Sequence, residues 1–243
     1  MYLEAGGFPE VQQLDVGLRV RVLQEYVDAV LLRDVVERYG ITNLSALRYL
    51  TRRLLRSPGG RFSVNRFYNE LKSQGIAVGK DALHAYLAHL QDAFLVFAVE
   101  RHGRSLKQRQ VSPRKGYVID HGLAQAVELH GAGEVGHLLE NLVYIELRRR
   151  GMSVSYVGTN SGFEVDFLVQ RRTGEPMLLQ VCADLSDADV RGRELRALAE
   201  AMRELRLSQS TIVTLLADEE VRLGRGTVRI VPAWRWLLEP NAR

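Results

Sequence analysis

A chain of 243 residues with 46% hydrophobic and 26% charged side chains has the balance of a folded globular protein, long enough for one large domain or two small ones. A net charge of +4 is too small to identify a partner by itself. One cysteine, Cys182, excludes an intrachain disulfide and suits a reducing, cytoplasmic setting, and no apolar run approaches the roughly 20 residues that span a bilayer, so no membrane partner is expected.

Residues 1–43 predict a helical linker. Met1-Tyr2-Leu3-Glu4 lacks the basic opening and apolar core of a signal peptide, and Gly6-Gly7 and Pro9 argue against any regular element nearby. Val16, Val20, Leu23, Val27, Val30, Leu31 and Val35 then recur at helical spacing up to a stop at Gly40.

Residues 44–120 predict three helices and two strands. Leu44, Leu47, Leu50, Leu54 and Leu55 mark the first helix, closed by Ser57-Pro58-Gly59-Gly60. Ser63 caps the second, with Phe67 and Leu71 inward, and the third buries Leu83, Leu87 and Leu90. Phe94–Val99 and Gly116–Ile119 read as strands joined by a long polar loop. That order is the one of a winged helix-turn-helix. The loop holds Arg101, Arg104, Lys107, Arg109, Arg114 and Lys115 with no acid between them, a pattern suited to neutralising phosphates without reading sequence. The third helix offers little for base edges beyond Lys80, His84, Gln91 and Asp92, so a protein partner stands beside nucleic acid. His84 and His89 read as surface residues, five apart and off a common face.

Residues 121–243 predict an α/β domain of order α-β-β-β-α-β, with a further strand and a closing turn of helix at the end. A helix spans about Val135 to Arg150, and Glu146 falls inside its apolar stripe, where it needs an arginine partner; Glu140 lies at the stripe's edge. Glu164–Val169 and Met177–Cys182 predict an antiparallel hairpin around Arg172-Thr173-Gly174-Glu175-Pro176. Alternation puts Glu164, Asp166 and Leu168 on one face of the first strand, and Leu178, Gln180 and Cys182 on one face of the second. Glu164 has a simpler role, a strand-start residue or a partner for Arg171 or Arg172. A long helix follows from Asp187 to Leu207.

A helix acid, a strand acid and a polar pair two residues apart on the next strand resemble the PD-(D/E)xK nuclease superfamily. The resemblance implies Glu140, Asp166 and Gln180 as Mg²⁺ ligands, since that ion takes hard oxygen donors. Cys182 stands where the superfamily has its lysine, and a thiol has neither positive charge nor affinity for a hard cation. Arg191 or Arg193 from the following helix is the available substitute, although an arginine stays protonated and cannot serve as a base. The candidate catalytic set is therefore Glu140, Asp166, Gln180, Cys182 and Arg193, in a site expected to be degenerate.

Gly6-Gly7-Phe8-Pro9-Glu10, Gly136-His137-Leu138-Leu139-Glu140-Asn141-Leu142-Val143, Glu164-Val165-Asp166-Phe167, Gln180-Val181-Cys182, Arg193-Glu194 and Pro232-Ala233-Trp234 occur in this order. Together they resemble the C-terminal region of prokaryotic AAA-type ATPases, a domain of unknown function. The resemblance implies an ATPase module as partner, in the same or a separate chain, because no Gly-rich phosphate loop and hence no ATP site occurs in this sequence. Three functions follow as expectations: an accessory region that binds nucleic acid or a partner protein, a Mg²⁺-dependent DNA endonuclease, or a pure interaction module.

Overall fold

The structure, a computed structural model, describes residues 2–103, 105, 112–127, 135–170, 174–224 and 226–239. The protein is of the α/β class and divides into two compact units. The first comprises residues 1–99 and 113–142, the second residues 100–112 and 143–243.

In the first unit, the two glycines interrupt the chain between a helical turn, α1 (Tyr2–Ala5), and a 3-10 turn, Pro9–Val11, that opens on the proline. Short turns thus form where no regular element was expected, because Pro is well suited to a first helical position. The Gly-Gly string is fixed by Asp120. One carboxylate oxygen accepts from Gly7 N at 2.6 Å, and the other accepts from Gly122 N at 2.8 Å. Gly6 has φ +79°, and a Cβ there would lie 2.2 Å from Asp120 Oδ1, so no other residue fits without displacing the carboxylate.

Helix α2 (Val16–Ala29) is capped by Asp15, whose carboxylate accepts from Leu18 N, and it runs on as a π-helical stretch, Val30–Glu37. Val27, Leu31 and Val35 stay buried through the change of pitch. The next elements are α3 (Leu44–Leu55), β1 (Arg61–Phe62), α4 (Val64–Ser73), α5 (Lys80–Asp92), β2 (Val96–Val99) and β3 (Arg114–Val118). The strands form a sheet of order β1-β3-β2, antiparallel throughout. This is the winged helix-turn-helix order, completed by a two-residue strand too short for periodicity to reveal. Leu47, Leu50, Leu54, Phe67, Leu71, Leu83, Leu87 and Leu90 pack into its core as their spacing requires.

A boundary at residue 120 does not describe this unit. Helix α6 (His121–Val127) was not foreseen, and it buries Leu123, Ala124 and Ala126 in the first core. The first unit therefore continues through Leu142, inside helix α7 (Val135–Arg149).

The second unit holds β4 (Ser153–Gly158), β5 (Glu164–Gln170), β6 (Met177–Val181), α8 (Ala188–Leu205), β7 (Gln209–Thr214), β8 (Glu219–Leu223), β9 (Gly226–Pro232) and α9 (Ala233–Leu238). From α7 onward the order is α-β-β-β-α-β, and β8 and β9 extend the sheet to β4-β5-β6-β7-β9-β8. The β5–β6 hairpin is antiparallel, with Phe167 opposite Leu179, whereas β6, β7 and β9 run parallel. Val165, Leu168 and Leu178 meet Leu198, Ala201 and Met202 of α8 in one core.

Candidate functional site

The antiparallel ladder between β5 and β6 ends at Phe167 and Leu179, and β6 then continues against β7, with Gln180 opposite Ile212. Where the two strands part, side chains complete the pairing. Asp166 N donates to Gln180 Oε1 at 3.0 Å, and Val181 N donates to Asp166 Oδ2 at 2.9 Å. Asp166 and Gln180 are both nearly fully buried, so these bonds satisfy groups that are costly to leave open.

The network continues onto α8. Gln180 Nε2 donates to Glu194 Oε2 at 2.7 Å, and Arg193 holds the other oxygen of Glu194 through Nη2 at 2.7 Å and Nε at 3.1 Å. Glu194 is buried, a position the sequence argument passed over. Its signal was present: it lies four residues after Val190 and four before Leu198, within the apolar side of the helix. Burial first, and then the charge of Glu194, push the Cys182 thiol above its ordinary value, so it is protonated at neutral pH. Its Sγ donates to Asp184 O at 3.1 Å.

Of the sequence-derived candidates, Asp166, Gln180, Cys182 and Arg193 come together in the second unit. Neither substitute cation is uncommitted: Arg193 binds Glu194, and Arg191 forms a two-bond pair with Glu219 at 2.5 and 2.9 Å. Glu164 opens β5, half-buried opposite Gly158; Arg171 and Arg172 lie outside the described residues.

Glu140 belongs to the first unit. Lys115 Nζ donates to its Oε1 at 2.9 Å and Tyr117 OH donates to the same oxygen at 2.7 Å, with all three side chains buried. Gly59, at φ +76°, admits the carboxylate; a Cβ there would approach Oε2 to 2.7 Å. The neighbouring Asn141, fully buried, accepts from Val118 N at 2.9 Å and donates to Val118 O at 3.1 Å. The Glu140-Asn141 pair thus fastens the start of α7 to strand β3.

These donors do not suit Mg²⁺ as arranged. Gln180 must turn its oxygen to Asp166 N, which leaves an amide N–H, beside the Arg193 guanidinium, facing the Glu194 carboxylate. A hard cation needs oxygens converging on it, not N–H donors. Among the described residues no three His, Cys, Asp or Glu side chains stand in an arrangement that could hold a metal ion.

The basic loop is also reassigned in part. Arg101 Nη2 donates to Gly158 O at 2.8 Å, Lys115 is the buried partner of Glu140, and Arg114 is a half-buried strand residue opposite Phe62. Arg104, Lys107 and Arg109 lie outside the described residues. On α5, Gln91 Oε1 accepts from Ala98 N, Asp92 accepts from Tyr39 OH, and Lys80 sits over the Tyr68 ring. His89 is not the surface residue expected; it stacks on Tyr39 at 3.6 Å between ring centres.

Glu146 has the arginine partners its position demanded. Burial pushes its carboxyl up, but hydrogen bonds from Arg149 and Arg150 outweigh this and hold it below the ordinary value of 4.5. Arg150 also lies over the Trp236 ring and donates to Trp236 O, which ties α7 to α9. A carboxyl with a lowered native pKa stabilises the fold above its unfolded pKa, and that contribution is lost as pH falls through the native value. Glu146→Gln is expected to lower the urea midpoint at neutral pH and to flatten its decline below about pH 4.5. Parallel acid limbs for wild type and variant would show that the ion pairs add nothing in solution.

The profile of a domain of unknown function (DUF8612) matches residues 1–133, more than half of the chain. The chain belongs to the DUF8612 family. A second domain of unknown function (DUF4143) matches residues 135–236 of this DUF8612 protein. An uncharacterized protein of Methanocaldococcus jannaschii is 32% identical over 98% of the chain and 54% of its own length. An uncharacterized protein of Haemophilus influenzae is 29% identical over 76% of the chain and 46% of its own length. The DUF8612 chain therefore spans about half the length of these curated relatives. No helix among its described residues is long and apolar enough to cross a membrane.

Proposed function

We propose that the chain is an accessory region of a prokaryotic AAA-type ATPase that works in the cytoplasm and binds nucleic acid without cleaving it. The observation that carries this reading is the internal bonding of the nuclease-like pattern: Asp166, Gln180 and Glu194 bind one another and backbone N–H groups, while Glu140 is held by Lys115 and Tyr117. An ATPase partner is supported by the motif order from Gly6 to Trp234 and by relatives about twice as long. Nucleic acid is supported by a sequence pI near 9.3 and by the acid-free basic loop.

The test is incubation of the whole chain with plasmid and with short labelled DNA, in Mg²⁺ or Mn²⁺. Salt-sensitive binding to intact DNA is expected. Replacing Arg104, Lys107 and Arg109 with Ala should weaken binding to all sequences alike and lower the log–log salt slope by about 0.9 per lost duplex phosphate contact. An unchanged slope would remove the loop from the interface. The engaged polar residues of α5 favour a second reading, a winged helix that docks a partner protein; absence of DNA binding at low salt would select it.

A further inference from the structure

We propose that strand β8 is a dimer interface, pairing antiparallel with β8 of a second copy of this chain about a two-fold axis at Val221. Strand β8 ends the second unit's sheet, and among the described residues no strand lies on its outer side. Its backbone faces that side at two residues. In the β8–β9 hairpin Arg222 stands opposite Thr227, and Glu220 opposite Arg229. Thr227 N donates to Ser208 O at 2.9 Å, which turns the polar groups of that residue toward the start of β7 and away from β8. Antiparallel pairs alternate between those that exchange two hydrogen bonds and those that exchange none. Glu220 and Arg222 therefore present N–H and C=O outward, while Val221, opposite Val228, bonds inward to β9.

An open edge is a template for any strand, and short charged edges commonly serve to prevent pairing. The residues of β8 select one partner instead. Antiparallel pairing centred on Val221 sets Glu220 of each copy opposite Arg222 of the other, and these are the two positions whose backbone groups face outward. The two pairs exchange backbone hydrogen bonds and bring opposite charges together across the strands. Centring on Glu220 or Arg222 sets like charges against each other, and parallel in-register pairing does so at both residues. A slip of one residue turns Val221 to the wrong face. Val221 and Leu223 pack against the second core, whereas Glu220 and Arg222 are exposed on the other face, so the centred register continues both faces across the axis. Within one chain, the β9 neighbour of Glu220, Arg229, is engaged by two bonds to Glu239, and that of Arg222, Thr227, carries no charge. The same residues serve on both sides of such a contact, so it closes at two copies.

This contact is independent of the nucleic-acid reading above. Sedimentation velocity of the whole chain over a concentration series, without nucleic acid, measures the association. The wild type should form a dimer and nothing larger. Glu220→Arg sets arginine against arginine at both ends of the contact, and Arg222→Glu sets glutamate against glutamate. Each variant alone should therefore dimerise at least about tenfold more weakly. Both residues are exposed, and circular dichroism checks that the fold is kept. Mixing the two variants sets arginine against glutamate at both ends, so a mixed dimer should return. The doubly exchanged chain, Glu220→Arg with Arg222→Glu, should dimerise as the wild type does. A wild type that stays monomeric or assembles beyond two copies overturns the proposal, and so does a dimer that either single substitution leaves unchanged. Loss of the dimer without recovery in the mixture and in the doubly exchanged chain also overturns it, because the charges would then act in some other contact.

Discussion

Glu140→Ala is expected to destabilise the first unit by about 3–5 kcal/mol, the usual cost of removing one member of a buried ion pair. Lys115 and Glu140 are 3% and 8% exposed, so the ammonium left behind would lose this carboxylate where little water can replace it. Tyr117 OH would lose the same acceptor. Lys115→Met combined with Glu140→Ala removes both charges and should recover part of the loss, because the desolvation penalty disappears with the pair. Urea unfolding followed by circular dichroism reads both effects. A metal-ligating glutamate behaves oppositely: removing it relieves charge repulsion and leaves stability unchanged or improved. If Glu140→Ala is neutral, the structural role assigned to this residue is wrong.

Gln180→Glu is expected to create a divalent-cation site. The substitution places a carboxylate where an amide N–H now meets Glu194 at 2.7 Å, with Asp166 alongside. Three clustered carboxylates repel one another without a cation and offer hard oxygens to one. The variant should therefore melt well below wild type in chelator and regain about 2.7 kcal/mol at a Mn²⁺ concentration one hundred times its dissociation constant. The wild-type melting temperature should not respond to Mn²⁺. Adding Cys182→Lys brings an ammonium close to Glu194 and Asp166, whose charges already act on the thiol. Loss of one such electrostatic contact commonly costs on the order of 10²–10³ in rate, so plasmid cleavage should require both substitutions and vanish with Asp166→Ala. Brisk Mg²⁺-dependent cleavage by the unmodified protein, abolished in Asp166→Ala, would overturn the non-cleaving reading and return Arg193 to the role of the missing lysine.

Periodicity alone located most elements. The leucines of α3 and α5, the stop at Gly151 and the alternating strands β5 and β6 each sit where the sequence places them, because helix and strand repeat with different periods and burial selects one face. Glu146 was also legible: a carboxylate inside an apolar helical stripe has to find a cation, and Arg149 and Arg150 are within one turn. The neighbourhood of Asp166 and Gln180 followed from hairpin register.

What needed the tertiary structure was the choice of partner across distance in the chain. Lys115 looks like one more cation of a basic loop, and only the folded sheet reveals that β3 carries it inward to Glu140, 25 residues away. Helix α6, seven residues long, has too few turns to show a period, yet its Leu123, Ala124 and Ala126 carry the first core past residue 120. Glu194 and Gln180 are each ordinary polar residues in their own segments. Their meeting depends on how α8 lies over the strands, and a hydrogen bond between them turns a metal-ligand pattern into a closed polar network.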